Sequence, residues 1–466
     1  MTQECLTDAP RVVFVTLGCA KNEVDTDRMR SLLLRAGYEE AEDVDDADAV
    51  IVNTCSFLAS ATSESIERTL ELAEAARSGV RSLPIVMCGC VPSRYGSELP
   101  AELPEVASFV RTDEEDAIVA VMDEVLGHTS IVPSAEGAAA GPLAAPLRTV
   151  QGASAYVKIS DGCDRFCAFC AIPYIRGRYA SRPYLEIKRE VEALAREGVR
   201  EFVLIGQDTG IWGEDLGAGD TLASLLVRLA EVVRPYGAWL RVLYLQPEGM
   251  TDELVSAIRD TPEVLNYIDI PIQHCDAEVL RTMNRSGSPS EFSELFARLR
   301  REIPGMVLRT TGLVGFPGET DEQFEELLDF MADEQFDYTS VFTYSPEEGT
   351  VGAEMDHQVP DDVKLERTQR LMDLAEQMGF DATASHVGEV VDVIIDGVDA
   401  DAEVPELIGH AWFQAPDSDG AVHIAEGEAA VGDVVRVRLT EAFCYELEGE
   451  LVDPGTPLGL AREEAE

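Results

Sequence analysis

The chain has 466 residues, 45% of them hydrophobic, with 88 acidic against 36 basic side chains and a formal net charge of −52. Its length allows about three domains, and the lack of any run of about 18 apolar residues excludes a membrane-spanning helix. So acidic a surface repels phosphate backbones and counts against a general nucleic-acid binder; it suits a basic protein partner or a saline cell interior.

The opening MTQECLTDAPR has neither the basic n-region nor the apolar stretch of a secretory signal. Ten cysteines in such a chain point to a reducing compartment and metal ligation rather than disulfides. The expected location is therefore cytoplasmic.

From about Arg11 to Gly127 the sequence repeats a strand–loop–helix pattern. Val12 to Val15 is a short β-rich run, followed by Thr16-Leu17-Gly18-Cys19. A helical stretch then sets Met29, Leu32 and Leu33 on one face. Ala49 to Asn53 reads as a buried strand with Cys55 just beyond it, and Pro84 to Met87 as a third strand followed by Gly89-Cys90. This βαβαβ order predicts a doubly wound parallel sheet. Cys19, Cys55 and Cys90 each fall just past a strand's C-terminal end, along the edge where open parallel sheets bind ligands. Placement at equivalent positions predicts a three-thiolate metal site, with three ordinary buried cysteines as the alternative. Strand alternation assigns Cys88 to the core and leaves Cys90 as the ligand.

Residues 128–150 are rich in small residues, Gly and Pro, and read as a linker. In 151–380, β-rich runs begin near Ala155, Phe202, Leu240, Tyr267, Met306 and Thr339, with amphipathic helices such as Tyr184 to Arg196 and Asp321 to Asp333 between them. Six β/α units in a row predict a partial barrel rather than an eight-fold one. The loop after its first strand carries CDRFCAFC, which places Cys163, Cys167 and Cys170 at the barrel mouth with the spacing C-x3-C-x2-C. A tetrahedral zinc site wants a fourth ligand, and none lies nearby in sequence. A four-iron, four-sulfur cluster held by three thiolates keeps one iron open. The alternative is a zinc knuckle completed from afar by His274 or Cys275.

Residues 385–454 form a third region. Its β-rich runs are Val390 to Asp396, Val422 to Ala425, Val434 to Leu439 and Cys444 to Leu451, and they predict a small antiparallel OB-like barrel. Between Ser385 and Asp453 there are 17 acidic residues, against only Arg436 and Arg438. An RNA-gripping barrel shows a basic, aromatic face, so RNA binding by this one is not expected. The tail AREEAE is expected to be disordered.

CDRFCAFC resembles the radical S-adenosylmethionine signature. The runs GCAKNEVDTDRM at 18–29, NTCSF at 53–57 and GCVPSRY at 89–95 resemble the N-terminal domain of the methylthiotransferases. IGQDTGIWGED at 205–215, PIQHCDAEVLRTMNR at 271–285, RTTGLVGFPGET at 309–320 and YSPEEGT at 344–350 resemble their radical domain, and the last barrel is similar to a TRAM domain. Gln207-Asp208-Thr209 and GHAWFQAPDSDG at 409–420 resemble the RimO branch, which modifies an aspartate of ribosomal protein S-twelve. Gln414 and Trp212 depart from that branch's usual aspartate and tyrosine. The other branch, MiaB-like, methylthiolates an adenosine in transfer RNA.

The resemblance implies two 4Fe-4S clusters and S-adenosyl-L-methionine. Cys163, Cys167 and Cys170 would hold the radical cluster, and Cys19, Cys55 and Cys90 an auxiliary one. Phe169 would pack beside the adenine, with core filling as its alternative. Gln207, Gln273 and Arg309 would meet the polar ends of S-adenosylmethionine, unless they serve as structural hydrogen-bonders. Gly315 and Gly318 would allow close backbone approach or simply make a turn. The implied partners are ribosomal protein S-twelve or the small ribosomal subunit, and an electron donor such as flavodoxin or ferredoxin.

Overall fold

The computed structural model describes residues 9–78, 83–130, 148, 152–217, 219–399, 406–425 and 427–452. Most of the expected linker, and the tail, lie outside these residues. The chain divides into two compact units: 1–149 with 162–164 and 170–178, and 150–161 with 165–169 and 179–466.

The first unit contains β1 (Arg11–Thr16), α1 (Ala20–Arg35), β2 (Glu39–Glu40), β3 (Ala49–Thr54), α2 (Ala59–Ser78), β4 (Ile85–Gly89), α3 (Cys90–Tyr95), α4 (Leu99–Glu102), β5 (Ser108–Arg111) and α5 (Ile118–Leu126). Its sheet is wholly parallel in the order β2-β1-β3-β4-β5. Val12, Ile51 and Val86 face Met29, Leu33 and Met122 on one side, while Val13, Val50 and Val52 meet Leu72 and Ala73 on the other. Burial on both faces explains why these strands are near-continuous apolar runs. Cys88 belongs to the first of these cores. From the linker, Arg148 is buried and pairs with Asp27 at 3.0 Å.

After β6 (Ser154–Lys158) and β7 (Ser160–Asp161), the short helix α6 (Ile172–Ile175) groups with the first unit. The second unit resumes with β8 (Ala180–Ser181), α7 (Tyr184–Glu197), β9 (Glu201–Ile205), α8 (Leu222–Val233), β10 (Trp239–Val242), α9 (Asp252–Asp260), β11 (Val264–Asp269), α10 (Ala277–Thr282), α11 (Pro289–Glu302), β12 (Val307–Val314), α12 (Asp321–Glu334), β13 (Tyr338–Thr343) and α13 (Asp361–Ser385). Six parallel strands run in the order β13-β12-β11-β10-β9-β6, an open partial barrel. Helix α13 runs on from this layer and ties to β13 through Thr343 and Thr368 at 2.7 Å.

The chain then forms a closed five-stranded barrel, β14 (Val390–Asp399), β15 (Glu406–Ala411), β16 (Val422–Ile424), β17 (Val434–Ala442) and β18 (Leu447–Leu451), ordered β14-β15-β16-β18-β17. Two details differ from the sequence reading. Strand β15 joins the four expected strands, and β16 pairs with β18 in parallel, so closure is not purely antiparallel.

This small barrel is fastened to the partial barrel by buried polar groups within the second unit. Arg241 Nε donates to Glu201 Oε1 at 2.5 Å, and Glu201 also binds His410, whose other ring nitrogen meets Asp396 at 2.6 Å. Arg241 Nη2 donates to the Trp412 carbonyl at 3.0 Å. Tyr267 donates to Asp419 at 2.5 Å, and Tyr156 to the Pro416 carbonyl at 3.0 Å. Both departures from the branch pattern are internal. Gln414 is buried, accepting from the Ala411 amide at 3.1 Å, and Trp212 is buried, donating to the Arg182 carbonyl at 3.1 Å.

Candidate iron–sulfur sites

In the first unit the neighbouring strands β1, β3 and β4 deliver Cys19, Cys55 and Cys90 to a single sheet edge. Cys19 precedes α1, Cys55 directly follows β3, and Cys90 opens α3. Gly18, at φ +106°, lets two of these turns touch: a Cβ there would stand 2.7 Å from Cys55 Cβ and 3.2 Å from its Sγ. Gly89 has φ +93°, and a Cβ there would lie 2.2 Å from Asn53 Oδ1 and 2.8 Å from the Thr54 carbonyl. Gly89→Ala is therefore expected to destabilise the protein by more than ~1 kcal/mol, because the residue meets both a left-handed backbone and rigid neighbours. Thermal unfolding checks this, and an unchanged midpoint would contradict the tight β4–α3 turn.

Two residues of this edge escaped the sequence reading. Asn22 is fully buried; its amide donates to the carbonyls of Leu17 at 2.8 Å and Thr54 at 2.9 Å, and its Oδ1 lies 3.8 Å from Cys90 Sγ. Arg176 Nη2 donates to the same Oδ1 at 2.9 Å, pairs with Asp25 at 2.9 Å and stands 3.9 Å from Cys90 Sγ. The motif GCAKNEVD contained Asn22 and Asp25, but nothing in it pointed to Arg176. Burial pushes the Cys90 thiol up to about 12, against the pull of Arg176, with Cys55, Cys19 and Asp25 adding to the rise. Burial raises the Cys55 thiol as well, again with Cys19 contributing. Soft thiols gathered on one edge beside a guanidinium suit an iron–sulfur centre, which takes them as thiolates.

Cys163, Cys167 and Cys170 occupy one partly exposed loop. Its backbone is held independently of the thiols. The Cys163 amide donates to Gly177 at 3.1 Å and the Ala168 amide to Met283 at 2.9 Å, while the Gly352 amide donates to the Ala168 carbonyl at 2.7 Å. Asn284 Nδ2 donates to the Arg165 carbonyl at 2.8 Å. Arg165 itself bonds Asp208 at 2.5 Å and Glu248 at 3.4 Å. Near this loop, Gln207 donates to Asp161 at 3.0 Å and keeps a buried Oε1 without a partner; Asp208 Oδ1 is likewise buried and unpartnered. Such orphaned acceptors are costly unless a ligand reaches them. The C-x3-C-x2-C thiols suit a cluster, and within the second unit the orphaned acceptors of Gln207 and Asp208 suit a polar cofactor.

Among the described residues, no group of three His, Cys, Asp or Glu side chains is gathered as ligands for a single metal ion. A four-iron cluster differs in binding each thiolate on a separate iron. The proposed fourth zinc ligands sit elsewhere. Cys275 packs in the main core of the partial barrel, and buried His274 accepts from the Asp276 amide at 3.0 Å. Burial lowers the His274 pKa to about 4.

The other expected cofactor contacts separate. Phe169 is partly buried and packs against the cluster that includes Ala168, Val279 and Phe316. Gln273 has φ +72° and bridges Gly312 through its backbone, while its side-chain amide has no partner among the described residues. Arg309 is committed to the seam with the small barrel: it donates to Asp419 and Asp269, each at 3.2 Å, and to Ser340 at 2.8 Å. The Gly315 amide donates to Glu319 at 2.9 Å, closing VGFPGET into a turn.

Residues 157–331 match the radical SAM superfamily, 11–111 match a family described as uncharacterized protein family UPF0004, and 387–452 match the TRAM domain. The chain is 41% identical over 461 residues to the ribosomal protein uS12 methylthiotransferase RimO of Synechococcus sp. (strain RCC307), covering 97% of this chain and 92% of that one. It is 41% identical over 448 residues to the protein of the same name from Pelobacter propionicus, covering 96% and 98%. Among solved structures it is similar in fold to the radical S-adenosylmethionine methyltransferase TsrM from Kitasatospora setae, with a TM-score of 0.54 at 14% identity over 84% of this chain and 79% of that one.

Proposed function

The chain belongs to the RimO family of radical S-adenosylmethionine methylthiotransferases, and from that premise we propose that it replaces a hydrogen on the β-carbon of an aspartate in ribosomal protein uS12 with a methylthio group. That C–H bond is not acidic, so no side-chain base has a matching pKa. When bound, two 4Fe-4S clusters and S-adenosylmethionine supply the electron, the radical that removes the hydrogen, and the sulfur and methyl that replace it. The chain's own residues ligate, orient and exclude water.

Cys163, Cys167 and Cys170 hold the first cluster, and Cys19, Cys55 and Cys90 the second. Gln207 and Gln273 orient the polar ends of S-adenosylmethionine, helped by Phe169; Arg309 holds the seam instead. The observation that carries the reading is the conjunction of two thiol trios, one on the edge of a parallel sheet and one in the loop after a partial barrel's first strand. The reading takes the domains as 11–127, 151–380 and 385–454, with a linker at 128–150.

The small barrel is the docking element for uS12 rather than for RNA. Its strands β17 and β18 expose Glu441, Glu448 and Glu450, which suits a basic protein and repels a phosphate chain. No helix among the described residues is long and apolar enough to cross a membrane; the proposed ribosomal substrate is what supports a cytoplasmic location. A flavodoxin or ferredoxin would deliver the electron. Mass spectrometry of uS12 and of transfer-RNA nucleosides, from cells with and without this gene, tests the proposal. One methylthio group on a uS12 aspartate, present only with the gene, is the expected result. Unmodified uS12 with a gene-dependent nucleoside modification would overturn it.

A further inference from the structure

Arg176 lies in the short segment Cys170–Arg178, and within the first unit it reaches the other thiol trio. Its side chain and that of Asp25 are each only 2% exposed. A guanidinium so buried needs a carboxylate partner, and Asp25 supplies it. Neutralising the charge requires nothing more, yet the same Nη2 is also 2.9 Å from Asn22 Oδ1 and 3.9 Å from Cys90 Sγ. Asn22 and Arg176 together thus bracket that one sulfur. The segment is held there by an apolar contact among Cys90, Ala171 and Ile175.

We propose that Arg176 is a positioning residue for the auxiliary cluster: it fixes Cys90 and donates to the ligating sulfur, raising the reduction potential of the centre, while Asp25 limits how much positive charge that centre feels. The proposal rests on Cys19, Cys55 and Cys90 being cluster ligands. A donor and a positive charge at a ligand sulfur favour the reduced, more negative cluster. Removing Arg176 therefore lowers the potential, and removing the Asp25 charge raises it. A residue that merely stapled Cys170–Arg178 to α1 would affect stability and leave the potential alone.

The test uses the full chain carrying Cys163→Ala, Cys167→Ala and Cys170→Ala, so that only the auxiliary cluster assembles on anaerobic reconstitution. Its midpoint potential is read by EPR-monitored titration. In that background Arg176→Met is expected to shift the potential downward, Arg176→Lys to stay nearer the parent, and Asp25→Asn to shift it upward. Loss of the cluster in Arg176→Met, with its retention in Arg176→Lys, would also support the role. If Arg176→Met does not fold, Asp25→Asn decides alone. Parental potentials in the folded variants, at about four irons per chain, would overturn the role of Arg176 while leaving the ligand assignment standing. A parent that binds no iron would overturn the ligand assignment and this proposal with it.

Discussion

Cys163→Ala is expected to reduce methylthio transfer to background while leaving the chain folded and about half of its iron in place. The loop that carries Cys163 is pinned by backbone bonds to Gly177, Met283 and Gly352, none of which uses a thiol. Removing one sulfur therefore costs little stability. Two remaining protein thiolates do not hold a four-iron cluster, and without it nothing in the chain can break an unactivated C–H bond. Iron analysis, circular dichroism and the mass of uS12 after incubation check the three parts of this outcome. Turnover within tenfold of the parent would refute the assignment.

The second large effect falls on the seam beneath the small barrel. Glu201 is fully buried between Arg241 and His410, so Glu201→Ala leaves two buried cations without their shared carboxylate. Breaking one partner out of a buried pair costs ~3–5 kcal/mol. Urea unfolding followed by tryptophan fluorescence reads this seam, because Trp239 lies edge-on to His410 with ring centroids 6.4 Å apart. The same group predicts a pH dependence. Burial opposes charge on His410, but Glu201 and Asp396 outweigh it and push its pKa from 6.5 up to about 9. The stabilisation is complete below pH 6.5 and is lost as pH rises through about 9, since the folded state binds the proton more tightly. His410→Gln should flatten that decline; an unchanged slope would show that His410 is not the titrating group.

The positions of the thiols were legible because chain-local features announce them. β-branched runs end in Gly-Cys or Asn-Thr-Cys, and strand order in a doubly wound sheet does the rest. The environment of the thiols was not legible. Arg176 meets Asn22 across 154 residues and Asp25 across 151, and no local pattern selects one arginine over another for such a contact. The pairing of Arg309 was hidden for the same reason: its partner Asp419 is 110 residues away. Asp419 lies within the run GHAWFQAPDSDG, and in the fold its carboxylate binds Tyr267, Arg309 and the Ala415 amide. Strand β15 was hidden because GHAWF drew notice as a motif rather than as a strand.

Iron and sulfide analysis with Mössbauer spectroscopy on the anaerobically reconstituted chain tests the two-cluster assignment most directly. The parent should hold about eight irons, and the triple alanine variants at Cys19/Cys55/Cys90 and at Cys163/Cys167/Cys170 about four each. A parent with about four irons, unchanged when Cys19, Cys55 and Cys90 are replaced, would contradict it.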